Sequence, residues 1–193
     1  MFKKGIFILA VLLVSSNASA QWELMNDEST VNYVSIKKSS IGEVNSFKQL
    51  NGSIEENGKV SVDIDLDSVE TNVSIRNDRM KSMLFEIGSF SKANISAAID
   101  PKALDSMKTG DTFKDSIKFN LFLHGVSNEM ATDVRVVKLA DNRILAVSVS
   151  PIIVNAGQYN LVEGVDKLRK IANLPSISTA VPVTFSFMFQ QQP

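Results

Sequence analysis

The chain has 193 residues, with 20 basic side chains against 21 acidic ones, a single histidine and no cysteine. The lack of cysteine excludes a disulfide framework, and with His124 as the only histidine it also excludes a His/Cys zinc or haem site within one chain. Such a chain, with no block of Lys or Arg, does not have the basic footprint of a nucleic-acid-binding protein.

The first twenty residues have the composition of a cleavable signal peptide. A Lys3-Lys4 pair forms a positive start, Ile6–Val14 is apolar, and Ala18–Ala20 supplies the small residues of a cleavage site. The apolar run is well short of the roughly 20 residues that span a membrane. We therefore predict export with cleavage near Ala20, and no stable membrane insertion. The mature domain, residues 21–193, then has 18 basic and 21 acidic residues and a net charge of −3.

Apolar and polar residues alternate along most of the mature chain, which indicates strands with one buried face. Asn57-Gly58 lies between two alternating segments and is a strong signal for a hairpin, so neighbouring strands are expected to pair antiparallel. The alternation predicts eight strands at Thr30–Lys37, Val44–Glu55, Lys59–Asp67, Ala93–Ile99, Asp115–His124, Ala131–Leu139, Arg143–Ser150 and Thr179–Gln190.

Two segments have helical spacing of their apolar residues instead. Ser74–Glu86 follows the third strand, and Asn160–Ala172 precedes the last one and ends before Pro175. Eight antiparallel strands with one apolar face form either a closed barrel or a sandwich of two sheets. Both remain open from the pattern alone, and the barrel is favoured because closure removes exposed strand edges.

The sequence offers little for catalysis. His124 lies where a strand becomes a turn, without a nucleophile motif beside it, so we interpret it as a hydrogen-bonded residue at a strand end. Asp63 and Asp65 alternate with apolar residues and should point to solvent rather than form a catalytic pair. The helical segment Ser74–Glu86 is expected to plug or rim one end of the barrel, with its charges in water and its methionines inside. No cofactor and no metal site are predicted.

Three stretches of the chain resemble the YceI family of exported, lipocalin-like bacterial proteins. They are VNYVSIKKSSIGEVNSFKQLNGSI, VDIDLDSVETNVSIRNDRMKSMLFE and FNLFLHGVSNEMA, and the resemblance runs from about Trp22 to the end of the chain. The middle stretch carries the family pattern at Ser68–Thr71, Arg76, Asp78–Met80, Ser82, Phe85 and Glu86.

The resemblance implies an all-β fold, an eight-stranded antiparallel up-and-down barrel with a long apolar cavity, here joined by the two short α-helices. It further implies a periplasmic protein that binds an isoprenoid-type lipid, such as a polyprenyl chain or a quinone tail, and catalyses nothing. Inward-facing apolar residues, together with residues of the first helical segment, are then the ligand-binding candidates: Val31, Tyr33, Phe47, Val62, Ile64, Leu66, Arg76, Arg79, Met83, Phe85, Phe90, Ile95, Phe119, Leu121, Val147, Phe185 and Phe187.

Two other functions stay open at this point. A barrel enzyme acting on an apolar substrate would need an inward acid or base, for which Tyr33 and Glu86 are the candidates. A barrel filled by its own side chains would instead be an interaction or stress-related protein without a ligand. The sequence is compatible with a monomer and with a homodimer.

Overall fold

The computed structural model describes residues 20–193, which form one antiparallel sheet of twelve strands with three short helices. The strands are β1 (Ala20–Leu24), β2 (Thr30–Lys37), β3 (Ile41–Phe47), β4 (Leu50–Glu55), β5 (Lys59–Asp65), β6 (Val69–Glu70), β7 (Lys92–Ala98), β8 (Thr112–Leu123), β9 (Val126–Leu139), β10 (Arg143–Ser148), β11 (Ile152–Asn155) and β12 (Ala180–Gln191). The helices are α1 (Ser74–Arg79), α2 (Pro101–Asp105) and α3 (Val162–Ile171), and Met80–Leu84 forms a π-helical turn after α1. Single 3-10 turns lie at Asn26–Glu28, Leu66–Ser68 and Ala156–Tyr159.

These strands close into an eight-stranded barrel, because several of them are halves of one longer strand. The 3-10 turn Asn26–Glu28 separates β1 from β2, and the 3-10 turn Leu66–Ser68 separates β5 from β6. Short irregular stretches likewise divide β3 from β4 and β10 from β11. The ring closes where β1 pairs with β12, with Trp22 opposite Gln191. The barrel predicted from the sequence is confirmed, and a two-sheet sandwich is excluded.

Side chains alternate between the inside and the outside of the barrel along each strand. Val62 and Ile64 are buried, whereas Asp63 between them lies on the outer face, 3.2 Å from the Lys92 ammonium. Trp22, near the start of β1, is among the most buried residues. Most apolar positions of the strands therefore face one common interior, as the period of two requires, although Val44 and Phe122 are exposed.

One end of the barrel is covered by α1, the π-helical turn and α3, which we call the helical cap. Gly164 of α3 lies so close to the π-helical turn that a Cβ atom there would be 2.8 Å from both the Leu84 Cα and the Met83 carbonyl oxygen. A glycine is needed at this approach because any larger residue would force the two segments apart. The cap therefore depends on direct contact between α3 and the π-helical turn.

The wall of the barrel is incomplete at two places. β7 pairs with β8 only along Asn94–Ala97, so the first half of β8 has no β7 partner. Here α2 lies against the barrel, with Leu104 buried in the core. The second gap lies between β9 and β11, which form no ladder with each other in the part of the chain that the structure describes.

Most predicted elements are present with slightly shifted bounds. The helical segments predicted at Ser74–Glu86 and Asn160–Ala172 correspond to α1 with the π-helical turn and to α3. The strands β1, β6 and β11 and the helix α2 were not predicted as elements of their own. The proposed signal peptide, residues 1–20, lies outside the described residues except for its last position. No helix in residues 20–193 is long and apolar enough to cross a membrane.

Candidate functional site

A cavity of about 300 Å³ runs through the interior of the barrel. Its lining extends from Leu104 of α2 at one end to Leu84 and Val165 of the helical cap at the other, where Leu161 also lines it just before α3. Along β8 alone it spans the residues from Phe113 to Leu123, which corresponds to about 25 Å along the barrel axis once the tilt of the strands is included. The space is therefore long and narrow, a shape suited to an extended chain rather than to a compact ligand.

The lining is almost entirely apolar. Its polar groups are the hydroxyl of Tyr33, the hydroxyl of Thr132 and the carboxyl groups of Asp100 and Asp115. Both carboxyl-bearing residues are exposed and lie towards the α2 end of the cavity. A ligand in most of this space would meet only hydrocarbon, and its burial would be driven by removal of apolar surface from water.

Twelve of the residues proposed from the sequence line the cavity: Val31, Tyr33, Phe47, Val62, Ile64, Leu66, Phe85, Ile95, Phe119, Leu121, Phe185 and Phe187. They come from most of the barrel strands and from the segment that follows the π-helical turn. All twelve face the inside of the barrel, as the alternation of apolar and polar residues predicts. Their contact with a ligand stays a prediction.

The other five proposed residues, Arg76, Arg79, Met83, Phe90 and Val147, lie outside the lining. Val147 is out of phase with Ile144 and Ala146, which do face the cavity, so it points to the outer side of β10. Phe90 packs instead on the ring of His124, with 4.3 Å between the ring centroids. His124 thus has an aromatic neighbour, and its Nε2 lies 3.4 Å from the Glu86 carboxylate without forming a hydrogen bond.

Arg76 is held by other protein groups rather than presented to the cavity. Its guanidinium forms an ion pair of 2.7 Å with Glu43 and donates to the Thr71 carbonyl oxygen. Lys37 pairs with the same carboxylate at 2.7 Å. The hydrogen bond from Lys37 is the largest of the effects that lower the pKa of Glu43, to which both cations contribute. Arg79, on the same helix, is half-buried but absent from the lining. Neither arginine therefore contributes to the cavity lining, and contact of either one with a ligand stays a prediction.

Tyr33 and Glu86, the two candidates for acid–base chemistry, do not form a catalytic pair. The Tyr33 hydroxyl donates to the Met80 sulfur at 3.4 Å, and burial raises the pKa of this phenol despite the opposing charge of Arg76. Tyr33 is therefore neutral at physiological pH. Glu86 is exposed, lies outside the cavity and pairs with Lys167 at 3.9 Å. Within residues 20–193, no cluster of three or more His, Asp or Glu side chains could hold a metal ion.

Sequence reasoning missed wall residues on several strands, such as Ile54, Ile117 and Val183, and it also missed residues at the two ends of the cavity. Leu161 directly precedes α3, Val165 belongs to it, and Leu104 belongs to a helix that was not predicted. Asp115 could have been found, because it shares the inward phase of β8 with Phe113 and Ile117.

Comparison with known proteins places this geometry in a family. The YceI-like domain matches residues 22–189. A polyisoprenoid-binding domain from Saccharophagus degradans is 33% identical, with a TM-score of 0.88 over 90% of this chain and 100% of that one. Two more distant structures share the fold. BcnA of Burkholderia cenocepacia is 16% identical (TM-score 0.66, covering 86% and 98% of the two chains), and the YCEI protein of Campylobacter jejuni is 14% identical (TM-score 0.55, covering 77% and 85%).

A search of curated proteins gave no match to this chain. The family match covers nearly the whole of the described sequence, and the barrel with its apolar interior agrees with it. The chain therefore belongs to the YceI family.

Proposed function

We propose that this protein is exported to the periplasm and carries an isoprenoid-type lipid inside its barrel without catalysing a reaction. The observation that carries the proposal is the cavity, which is continuous, about 25 Å long by strand geometry, and apolar along almost its whole length. The relative from Saccharophagus degradans, described as a polyisoprenoid-binding domain, supports the same class of ligand.

The energetics of such a site favour a hydrocarbon chain. Each buried methylene contributes about 0.8 kcal/mol, so a chain that lies along the barrel is held without specific polar contacts. Met80 and Met130 in the lining can adjust to the irregular outline of a branched chain because the thioether side chain is flexible. A compact polar substrate would gain nothing comparable here.

The polar groups of the lining favour a ligand whose polar end is uncharged. Asp100 and Asp115 are acceptors with negative charge, and Arg76, the cation proposed as a ligand contact, is already paired with Glu43. Thr132 lies opposite Ile117 and hence diagonally from Asp115 on the neighbouring strand. A hydroxyl or a quinone carbonyl can bond to this pair of side chains, whereas a diphosphate would be repelled by the carboxylates. A polyprenol or a quinone therefore fits better than a polyprenyl diphosphate.

The described side chains also support a binding role rather than an enzymatic one. The acid–base groups that reach the cavity are Tyr33, which is bonded to a sulfur, and the two aspartates near one end. None of them is paired with a second catalytic group. An apolar substrate along the middle of the barrel would meet no residue able to transfer a proton.

Native mass spectrometry of the protein purified from periplasmic extract tests the proposal. We expect a stoichiometric mass increase that organic extraction identifies as an isoprenoid or quinone, and the intact mass should show that the chain starts near Gln21. Absence of lipid, together with no uptake of a fluorescent polyprenyl probe, would refute the binding role. Full-length protein in the cytoplasm would refute the export.

A further inference from the structure

The barrel wall has a slit between β9 and β11. β10 pairs with β9 as far as Ser148, opposite Val134, and one more backbone bond joins the Val149 N–H to the Asp133 carbonyl oxygen at 2.9 Å. Ser150 and Pro151 then lead the chain away, and β11 resumes pairing with β12 alone. The facing edge of β9 has no strand beside it in residues 20–193, so its backbone groups there must be satisfied by water.

The slit is short and both its ends are fastened. At the end nearer the helical cap, the Asn128 side chain donates to the Gln158 carbonyl oxygen at 3.0 Å. The Tyr159 hydroxyl donates to the Met130 sulfur at 3.4 Å beside it. The opening therefore extends over Glu129–Thr132, roughly 13 Å of strand.

A groove on the outer surface lies over this slit and connects with the interior. It has a volume of about 400 Å³, and three of its lining residues, Met130, Thr132 and Ile152, also line the central cavity. A single layer of side chains therefore separates the cavity from solvent here. On the outside, Ile153 is 53% exposed and Pro151 is also exposed, and Ser116, Asp133 and Ser150 line the same groove, so the approach to the slit has an apolar side and a polar side.

The other boundaries of the cavity are more strongly closed. Within the helical cap, Gly164 of α3 lies directly against the backbone of the π-helical turn. The Lys37–Glu43–Arg76 cluster also ties α1 to β3. The gap beside β8 is occupied by Leu104 of α2, which is buried. Opening either end requires a helix to move, whereas opening the slit requires only the turning of side chains, above all the flexible Met130, whose sulfur would release the Tyr159 hydroxyl.

The geometry points to the slit between β9 and β11 as a lateral portal through which the apolar chain enters and leaves the barrel, with Met130 as its gate. This inference rests on the proposed function. Asp115 and Thr132 lie beside the portal, so the polar end of a bound lipid would remain there while its tail fills the barrel.

Thiol labelling tests whether the portal admits molecules, and it needs no lipid. The chain has no native cysteine, so single-cysteine variants report one position each. Thr132→Cys places a thiol at the portal, and Ala146→Cys places one in the cavity wall where β10 is paired on both sides. Both native side chains are half-buried. A bulky charged maleimide should react at least tenfold faster with T132C than with A146C; equal rates would overturn the portal.

Cross-linking tests whether lipid uses the portal. A short bis-maleimide across A131C and I153C, two exposed positions that line the groove on opposite sides of the slit, would lock it. The same reagent across E86C and K167C would lock the helical cap, where the native side chains are 3.9 Å apart. Circular dichroism and the thermal midpoint check that both variants are folded.

The expected result is that the portal link slows both uptake and release of a fluorescent polyprenyl probe at least tenfold, with little change in Kd, and that the cap link changes neither rate. Slowing by the cap link alone would overturn the portal and assign entry to the capped end. Failure of the unmodified protein to take up any probe would refute the proposed function and the portal's role together, whereas uptake at unchanged rates in the portal-linked protein would refute the portal alone.

Discussion

Asp115 lies on the inward face of β8, between Phe113 and Ile117, in a lining that otherwise consists mainly of hydrocarbon. A carboxylate at this position costs nothing in apolar burial, because it is exposed near one end of the cavity. We expect it to select against ligands that carry negative charge at their polar end. At the residue scale, the proposed ligand selectivity would therefore depend on a few polar side chains, and the affinity on the apolar remainder.

Replacing this carboxylate should weaken the discrimination between neutral and anionic lipids. We expect wild-type protein to bind a polyprenol more tightly than the polyprenyl diphosphate of equal length. The variant Asp115→Asn should reduce the ratio of the two dissociation constants by about fivefold, which corresponds to about 1 kcal/mol of charge repulsion near a solvated surface. Asp141→Asn, at an exposed turn, is the control and should leave the ratio unchanged. A ratio unaltered in D115N would contradict the placement of the polar end.

Glu70 links the barrel to α1 through a carboxylate that stays ionised at low pH. A hydrogen bond from Asn77 at 3.1 Å is the largest influence, followed by Lys48 at 3.0 Å and the Asn72 backbone N–H at 2.7 Å, and together they lower the pKa of Glu70 from near 4.5 to about 2. Because its pKa is depressed in the folded state, this carboxylate stabilises the protein above its unfolded-state pKa. That contribution is lost as the pH falls from about 4.5 towards 2.

The variant Glu70→Gln should therefore lose less stability than wild type when the pH is lowered across this range, and it should be less stable at neutral pH. Thermal unfolding between pH 7 and pH 2 measures both effects. Glu56→Gln, in an exposed hairpin turn, is the matched control and should follow the wild-type curve. Parallel curves for wild type and E70Q would contradict the role of Glu70.

Among the elements, the contact between α3 and the π-helical turn is the most sensitive to side-chain size. Gly164→Ala would place a Cβ 2.8 Å from two backbone atoms, which cannot move as a flexible side chain can. The expected cost of such overpacking, about 1–3 kcal/mol, exceeds the gain of about 1 kcal/mol for alanine over glycine inside a helix. We therefore expect a net loss of unfolding free energy of about 1 kcal/mol by chemical denaturation.

Gly88→Ala is the control for this substitution, because nothing lies within 4 Å of the Cβ that it would add. Its free energy of unfolding should stay within about 0.5 kcal/mol of wild type. If G164A were instead more stable than wild type, helix propensity would outweigh packing, and the cap would have to be looser than the structure indicates.

The period of two was enough to predict the strands and the inward residues of the barrel, because a half-buried strand leaves that signature in the sequence. Val62, Ile64 and Phe119 were identified in this way, and they line the cavity. Elements outside this signal were missed. β11 has only four residues behind Pro151, and α2 is a five-residue helix that begins with a proline.

The ends of the cavity were harder to predict than its wall, because they depend on contacts between distant segments. Arg76 is suited to a lipid headgroup by its chemistry, but Glu43, 33 positions earlier, occupies its guanidinium. Val147 was predicted to face the cavity, but the inward positions of its strand are Ile144 and Ala146, so the alternation is shifted by one residue. Nothing in the local sequence shows either the pairing or the slit between β9 and β11.

For the whole molecule, closure of the sheet and emptiness of its interior are separate properties. Pairing of β1 with β12 closes the sheet into a ring, and it would do so equally well around a filled core. Here the inward side chains leave about 300 Å³ unfilled. A single chain without cysteine keeps this space open by its hydrogen-bonded wall and by the elements at each end. Lipid binding is the use of that space which the lining favours.

Native mass spectrometry of two neighbouring variants tests this use most directly. Ala97 faces the cavity and Ala98, the next residue of β7, faces solvent, so the same substitution to phenylalanine at each position differs only in the side of the wall that it occupies. We expect A98F to retain bound lipid at the wild-type level. In A97F the phenylalanine would fill the cavity without changing the fold, and the fraction of protein with bound lipid should fall at least tenfold. Equal lipid occupancy in folded A97F and A98F would contradict binding inside the barrel.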